Sequence, residues 1–215
     1  MKFCIIGLGI FGKKLAEKLF DHGAEVLAVD QDEHEISLIQ DKVTQAVCTE
    51  IVDIASLEAI GIEEIDIVVI AIGENIAQSI LIAAIIKKRF QHAKVIARAA
   101  SQTQKEILEL LKVDQVVLPE AETASELADV LSSPFVNLAR LSNTYSIGLI
   151  SIPDDFIGKK IQDLGLYKKY KVNCIAVQRD KEYISINSNY VILDYDELVV
   201  AGKDEDIIML QNSTK

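Results

Sequence analysis

From Met1 to about Leu118, short aliphatic runs alternate with amphipathic stretches. The runs are KFCII, EVLAV, TQAVC, DIVVIAI, AKVIAR and QVVL, and helical patterns fall between them at about 10–22, 32–41, 53–60, 75–90 and 102–112. Strands that are apolar on both faces, separated by helices, belong to a parallel sheet covered on both sides. Six of them predict a doubly wound, Rossmann-like α/β domain with right-handed crossovers. Pro119 closes the series. EAETASELADVLSS (120–133) predicts a further helix, acidic at its positive end and stopped by Pro134. Then the rhythm changes: FVNLARL and YSIGLISI read as strands, IGKKIQDLGLYKKY as a helix, and VNCIAVQ, EYISI and DELVVAG as strands. The expected organisation is a Rossmann lobe at 1–119, a helix and linker at 120–143, and a small α+β lobe at 144–215, beginning near Asn143.

Charge narrows the partners. The formal net charge is −11, whereas phosphate backbones are held by clustered Lys and Arg, so nucleic acid is not the expected partner. Cys4, Cys48 and Cys174 lie far apart inside apolar runs, with no CxxC and no neighbouring His. They read as small buried thiols in a reducing compartment, not as zinc ligands or a disulfide framework. The apolar N-terminus ends in Gly12-Lys13-Lys14 without a small-residue cleavage site, unlike a signal peptide. The most apolar stretch, Ile65 to Ile86, is interrupted by Asp66, Glu74, Asn75 and Gln78, so no segment is expected to span a bilayer. A soluble, cytoplasmic protein is the expectation.

Gly7-Leu8-Gly9-Ile10-Phe11-Gly12 matches GxGxxG after a predicted strand and at the start of a predicted helix, and Asp30 ends the second strand. In that context the pattern is a dinucleotide-binding fingerprint. Gly7 suits the tight turn, Gly9 leaves room for phosphate against backbone N–H groups, and Gly12 allows close helix–strand packing. Asp30 suits ribose hydroxyls and would repel a 2′-phosphate, which disfavours NADP. Further polar residues fall where strands end, the ligand edge of such sheets: Glu50 and Asp53 after the third strand, Gly73 and Asn75 after the fourth, Arg98 at the end of the fifth and Glu120 after the sixth. Asn75 also suits a helix N-cap, and Arg98 a phosphate contact or a surface ion pair.

A hydride-transfer enzyme needs a positioned acid or base. His22 precedes Gly23 at a helix end, His34 sits early in the second helix, and His92 lies in a turn, all ordinary surface positions. No Ser-His-Asp, Lys-Tyr or metal constellation is visible, so no catalytic residue is assigned. A small NAD-dependent oxidoreductase remains the alternative. A nucleotide sensor with a non-channel partner such as a transcription factor is disfavoured, because basic surface and a helix-turn-helix segment are missing.

The chain resembles the RCK (regulator of conductance of potassium) proteins, in particular the KtrA/TrkA-type cytosolic subunits of bacterial potassium transporters. GLGIFGKKLAEKL, EVLAVD, VVIAIGENIAQS, VIARA and VVLPE follow the family's order, and FIGKKIQDLGL, IAVQR and DELVVAGKDEDI resemble its C-terminal lobe. The resemblance implies a ligand-gated regulatory subunit, not an enzyme. It implies a homodimer assembling to an octameric ring beneath a membrane potassium-translocating subunit (KtrB/TrkH-like), peripheral at the inner face of the membrane. It implies ATP, ADP or NAD(H) in the N-lobe, with Gly7, Gly9 and Gly12 at the phosphates, Ile10 and Phe11 within the same binding turn, and Asp30 at the ribose. Glu50 near the adenosine and Arg98 facing the nucleotide complete the implied site, and Gly73 and Asn75 join the candidate binding residues by their place after the fourth strand. Glu120 matches an acidic position linked to a divalent cation, and helix 120–133 the crossover helix that packs on a second subunit.

Two positions depart from the family. Where these proteins often carry an Arg that reaches the γ-phosphate, this chain has Ile10. Loss of a charge-assisted contact of roughly 1.5–3 kcal/mol flattens or removes an ATP/ADP preference. Val52 replaces a small hydroxyl residue after the third strand. In the C-lobe the resemblance implies cyclic di-AMP in a dimer cleft, at YKKYKVNCIAV. Asn173 matches a ligand position, Val172 and Cys174 flank it for adenine, and Tyr167 replaces a family arginine beside Lys168 and Lys169.

Overall fold

The computed structural model describes residues 1–73, 75–132, 135–142 and 144–213, with the Asn137 side chain left aside. Glu74, the helix stop expected at Pro134 and the lobe boundary expected at Asn143 lie outside the described residues. The chain divides into two units, Met1–Thr123 and Ala124–Lys215.

The first unit runs β1 (Lys2–Ile6), α1 (Ile10–Asp21), β2 (Glu25–Asp30), α2 (Glu33–Ile39), β3 (Gln45–Cys48), α3 (Ile54–Ala59), β4 (Ile67–Ile70), α4 (Ile76–Arg89), β5 (Lys94–Arg98), α5 (Gln102–Leu110) and β6 (Gln115–Val117). Its six strands are parallel, in the order β3-β2-β1-β4-β5-β6. Alternate strand residues feed opposite faces, as strand geometry requires. Ile5, Val26, Ala28 and Val69 pack with Ala16 and Ile39 on one face. Cys4, Ile6, Leu27, Val29, Val68 and Ile70 pack with Leu57, Ile82, Ile86 and Leu108 on the other. Burial on both sides is the reason these strands read as uninterrupted apolar runs.

Helix ends follow local chemistry. Asp32 caps α2, Asp53 caps α3 in a reciprocal capping box with Ser56, Asn75 caps α4 and Ser101 caps α5. α1 stops at His22 and Gly23: Gly23 takes φ 81°, and the Gly23 and Ala24 N–H groups return to the Phe20 and Leu19 carbonyls. α6 (Pro119–Ser132) begins with Pro119 at its first position, where a missing N–H costs nothing, and carries Glu120 and Glu122 in its first turn.

The second unit holds β7 (Val136–Ser142), β8 (Tyr145–Ser151), α7 (Ile161–Leu164), α8 (Leu166–Tyr170), β9 (Asn173–Arg179), β10 (Glu182–Ser185), β11 (Glu197–Lys203) and α9 (Asp204–Asn212). Its antiparallel sheet has the order β10-β9-β11-β8-β7. Phe135, Ile150, Val177, Leu198, Val200, Ile207 and Leu210 are among its buried core. Two details differ from the sequence expectation. The single helix expected over IGKKIQDLGLYKKY is broken at Gly165, which adopts φ 59° between α7 and α8. α9 was not expected, yet it supplies Ile207 and Leu210 to the core and opens with Asp204, Glu205 and Asp206.

Among the described residues no helix is long and apolar enough to cross a membrane.

Candidate functional site

The sheet order reverses between β1 and β4: the chain leaves β1 toward β2 and β3, then returns to β4 on the other side. The crevice at the carboxyl ends of these strands is where open α/β sheets take ligands. Gly7 turns the chain out of β1 at φ 96°, its N–H donating to the Val29 carbonyl at 2.9 Å. A Cβ on Gly7 would lie 3.0 Å from the Ile72 nitrogen, and one on Gly12 would collide with the Gly7 carbonyl oxygen. Packing of the chain itself therefore accounts for both glycines.

Gly9 is different. It stands at the N-cap of α1 with φ −60° and ψ −175°, a conformation open to most residues, and a Cβ there would meet nothing within 4 Å. No side chain caps α1 and its first turn carries no acid. Space is therefore open beside Gly9, at the helix end whose uncapped N–H groups and positive dipole favour a phosphate. The motif residues here fit the phosphates of a nucleotide. Ile10 is 87% exposed and supplies no charge, whereas the Phe11 ring is half-buried against the core, leaving its backbone as the polar group it offers.

Asp30 ties the second strand to this turn. One carboxylate oxygen accepts the Leu8 N–H at 2.5 Å and the other the Asp32 N–H at 2.9 Å. A carboxylate has about four lone-pair sites, so acceptor capacity remains for ribose hydroxyls. Glu50 is exposed beside Ile51, whose carbonyl accepts the Gln78 side-chain amide at 3.1 Å, fastening this loop to α4. Val52 is exposed, its N–H donating to the Ser56 hydroxyl. Asn75 is exposed and accepts the Gln78 N–H at 3.1 Å, so a capping role is present whatever else it does.

Arg98, Gly73 and Glu120 form a second cluster, which the strand-end placement hinted at but whose pairing was not read from the sequence. The Arg98 guanidinium donates to the Glu120 carboxylate. That hydrogen bond is the main reason the Glu120 carboxyl lies below the usual carboxylate range. The guanidinium also occupies the space that a Cβ on Gly73 would need. No group of three or more His, Cys, Asp or Glu side chains comes together to hold a metal ion among the described residues.

In the second unit, Tyr167 is exposed, with the Lys171 ammonium 5.5 Å from its ring centroid. Lys168, Lys169 and Asn173 are exposed. Val172 is wholly buried, against Gly202, and belongs to the core of this unit, not to its surface. Cys174 is half-buried, and burial pushes its thiol up to about 12.

Fold and cleft together define a Rossmann-type α/β unit with a glycine turn at the switch point, followed by a small antiparallel lobe. The chain belongs to the TrkA family: the TrkA-N domain matches residues 3–119 and the TrkA-C domain residues 149–215. It is 32% identical over 208 residues to Ktr system potassium uptake protein C of Bacillus subtilis (strain 168), covering 96% of this chain and 94% of that protein. Ktr system potassium uptake protein A of the same organism is 30% identical over 213 residues, covering 98% and 96%. Among solved structures, the GsuK channel bound to NAD superposes with a TM-score of 0.64 at 16% identity, over 100% of this chain. That likeness concerns the fold, and this chain spans 39% of the channel chain's length. The KtrA/TrkA-type resemblance and the α/β Rossmann expectation are both met.

Proposed function

We propose that this chain is a non-enzymatic, cytosolic regulatory subunit of a potassium uptake system, and that an adenine nucleotide at the switch-point cleft is its signal. The observation that carries the reading is Gly9, the one motif glycine that the chain's own packing does not require, at the uncapped start of α1. ATP, ADP or NAD(H) would place phosphate there, with Asp30 at the ribose and Arg98 within the same strand-end edge. The relatives named for Ktr potassium uptake support the system, and the NAD-bound GsuK channel supports the ligand class. Only a ligand that binds two conformations unequally can shift them, so the nucleotide's effect on a membrane potassium-translocating partner has to arise from such a difference.

The polar groups at the cleft suit binding better than proton transfer. Asp30 is engaged with two backbone N–H groups, and Glu120 is ion-paired and held in its charged form. A homodimer and octameric ring, a divalent cation near Glu120 and cyclic di-AMP at Asn173 belong to the same reading. For the last, exposed Asn173 with Lys168 and Lys169 close in sequence supports an anionic ligand, while buried Val172 does not.

The test is calorimetric titration of nucleotide-stripped protein with ATP, ADP, NAD, NADH and cyclic di-AMP, repeated on Asp30→Ala and Asn173→Ala. Loss of ATP, ADP or NAD(H) binding in Asp30→Ala, with cyclic di-AMP binding lost in Asn173→Ala alone, is the expected pattern. Wild-type protein that binds none of the five would sink the proposal.

A further inference from the structure

We propose that Glu120 competes with the ligand's phosphate for Arg98, and that Gly73 is the residue that seats the Arg98 guanidinium for this exchange. The inference rests on the reading that the cleft takes a nucleotide.

Three observations converge on Arg98. Its side chain is 17% exposed, whereas that of its partner Glu120 is 67% exposed. The cation is thus anchored and the anion is free to leave. Only one of its nitrogens, Nη2, donates to Glu120, and Nε is buried with no hydrogen-bond partner among the described residues. A guanidinium carries five N–H donors in a planar fork suited to a tetrahedral anion, so the present pairing leaves that capacity unused. Finally, Nη1 stands where a Gly73 Cβ would be. Gly73 is not among the glycines with positive φ, so its backbone does not call for glycine; a side chain there would instead make the guanidinium give way.

This geometry places the guanidinium at the ligand edge. Gly73 follows Ile72, whose backbone nitrogen faces the Gly7 turn. A phosphate in that crevice and the Glu120 carboxylate are both anions within reach of one cation. The exchange has a structural consequence, because Glu120 lies in the first turn of α6, which runs on to Ser132 and so into the second unit. Phosphate binding would untie the start of that helix from β5.

The experiment titrates ADP and adenosine, in EDTA so that no divalent ion bridges carboxylate and phosphate. The proteins are wild type, Glu120→Gln, Arg98→Ala, the double variant and Gly73→Ala. Removing the competitor should tighten ADP by about three- to fivefold, the range of a partly exposed ion pair, and leave adenosine unchanged. Arg98→Ala should weaken ADP, Gly73→Ala should weaken it in the same direction, and Glu120→Gln should give no gain in the Arg98→Ala background. Unchanged or weaker ADP binding in Glu120→Gln overturns the competition. So does an equal gain without Arg98, which would mean plain charge repulsion. If wild type binds neither ADP nor adenosine, the nucleotide reading itself fails, an outcome distinct from binding that ignores Glu120.

Discussion

Gly12 stands so close to Gly7 that a Cβ on it would overlap the Gly7 carbonyl oxygen and come within 3.2 Å of the Ala71 Cβ. The strand, the turn and the helix are locked together at this point, and the two nearest neighbours are Gly7 backbone atoms that cannot swing aside. Gly12→Ala is therefore expected to destabilise the protein by about 1–3 kcal/mol, as overpacking does, and to displace the turn at the proposed ligand cleft. Gly9→Ala makes the contrast: stability within about 0.5 kcal/mol of wild type, but nucleotide affinity reduced. Urea unfolding and nucleotide titration of the two variants side by side check both halves. Equal stability losses would show that Gly9 has a packing role the structure does not reveal.

Ile10 is exposed at the first position of α1 and brings no charge to the proposed phosphate site. Ile10→Arg should introduce a charge-assisted contact to a terminal phosphate and raise the preference for ATP over ADP by roughly tenfold or more. Competition binding of the two nucleotides reads this directly. An unchanged ratio would place the γ-phosphate elsewhere.

The three cysteines should separate by reactivity. Cys4 is completely buried and Cys174 half-buried, and burial pushes both thiols up to about 12, so neither forms thiolate at neutral pH. Cys48 is exposed and pairs in register with Asp30 across β2 and β3. A thiol reagent should label one cysteine per native chain quickly and all three after unfolding. Bound nucleotide should slow the fast site, since Asp30 is its neighbour. Mass spectrometry of the labelled peptides identifies which thiol reacts, and fast labelling at Cys4 would contradict the burial.

Asp196 is buried in the second unit and anchors a polar network. Burial pushes its carboxyl up, but the Leu193 N–H, the Tyr190 hydroxyl and the Arg179 guanidinium outweigh this and hold it below its ordinary value near 3.8. Because the folded value is depressed, its contribution to stability is present above about pH 4 and is lost as pH falls through the folded value. Asp196→Asn should cost about 1–3 kcal/mol at pH 7, and the gap to wild type should narrow below pH 4. Tyrosine fluorescence during urea unfolding isolates this unit, since all six tyrosines lie between 145 and 195 and the chain has no Trp. A gap that stays constant from pH 7 to pH 3 would dissociate Asp196 from the effect.

The Rossmann unit was legible because its determinants are local. β1, β2 and β4 are buried on both faces, so their sequences are continuously apolar, and the helices from α2 to α5 announce their starts with Asp32, Asp53, Asn75 and Ser101. Gly7 and Gly12 were legible for the same reason: the turn leaves no room for a side chain at either position. In the second unit the reading was coarser. α9 has no capping side chain, and its nine residues are apolar mainly where the core needs Ile207 and Leu210, a pattern too short to separate from a tail. Gly165 interrupts a helical pattern that one glycine alone would not have ended.

What the chain by itself determined was thus the order and type of the first unit's elements and the glycine turn, since these depend on backbone sterics and on residues a few positions apart. Tertiary structure alone decided which charges meet. Arg98 and Glu120 are 22 residues apart, Arg179 and Asp196 17 apart, and Asp30 reaches Leu8 across 22 residues. Nothing in local spacing selects those partners, because each carboxylate has several cations within the chain to choose from. The parallel register brings the ends of β1 and β2, and of β5 and β6, to one edge of the sheet, and side-chain direction there settles the pairing.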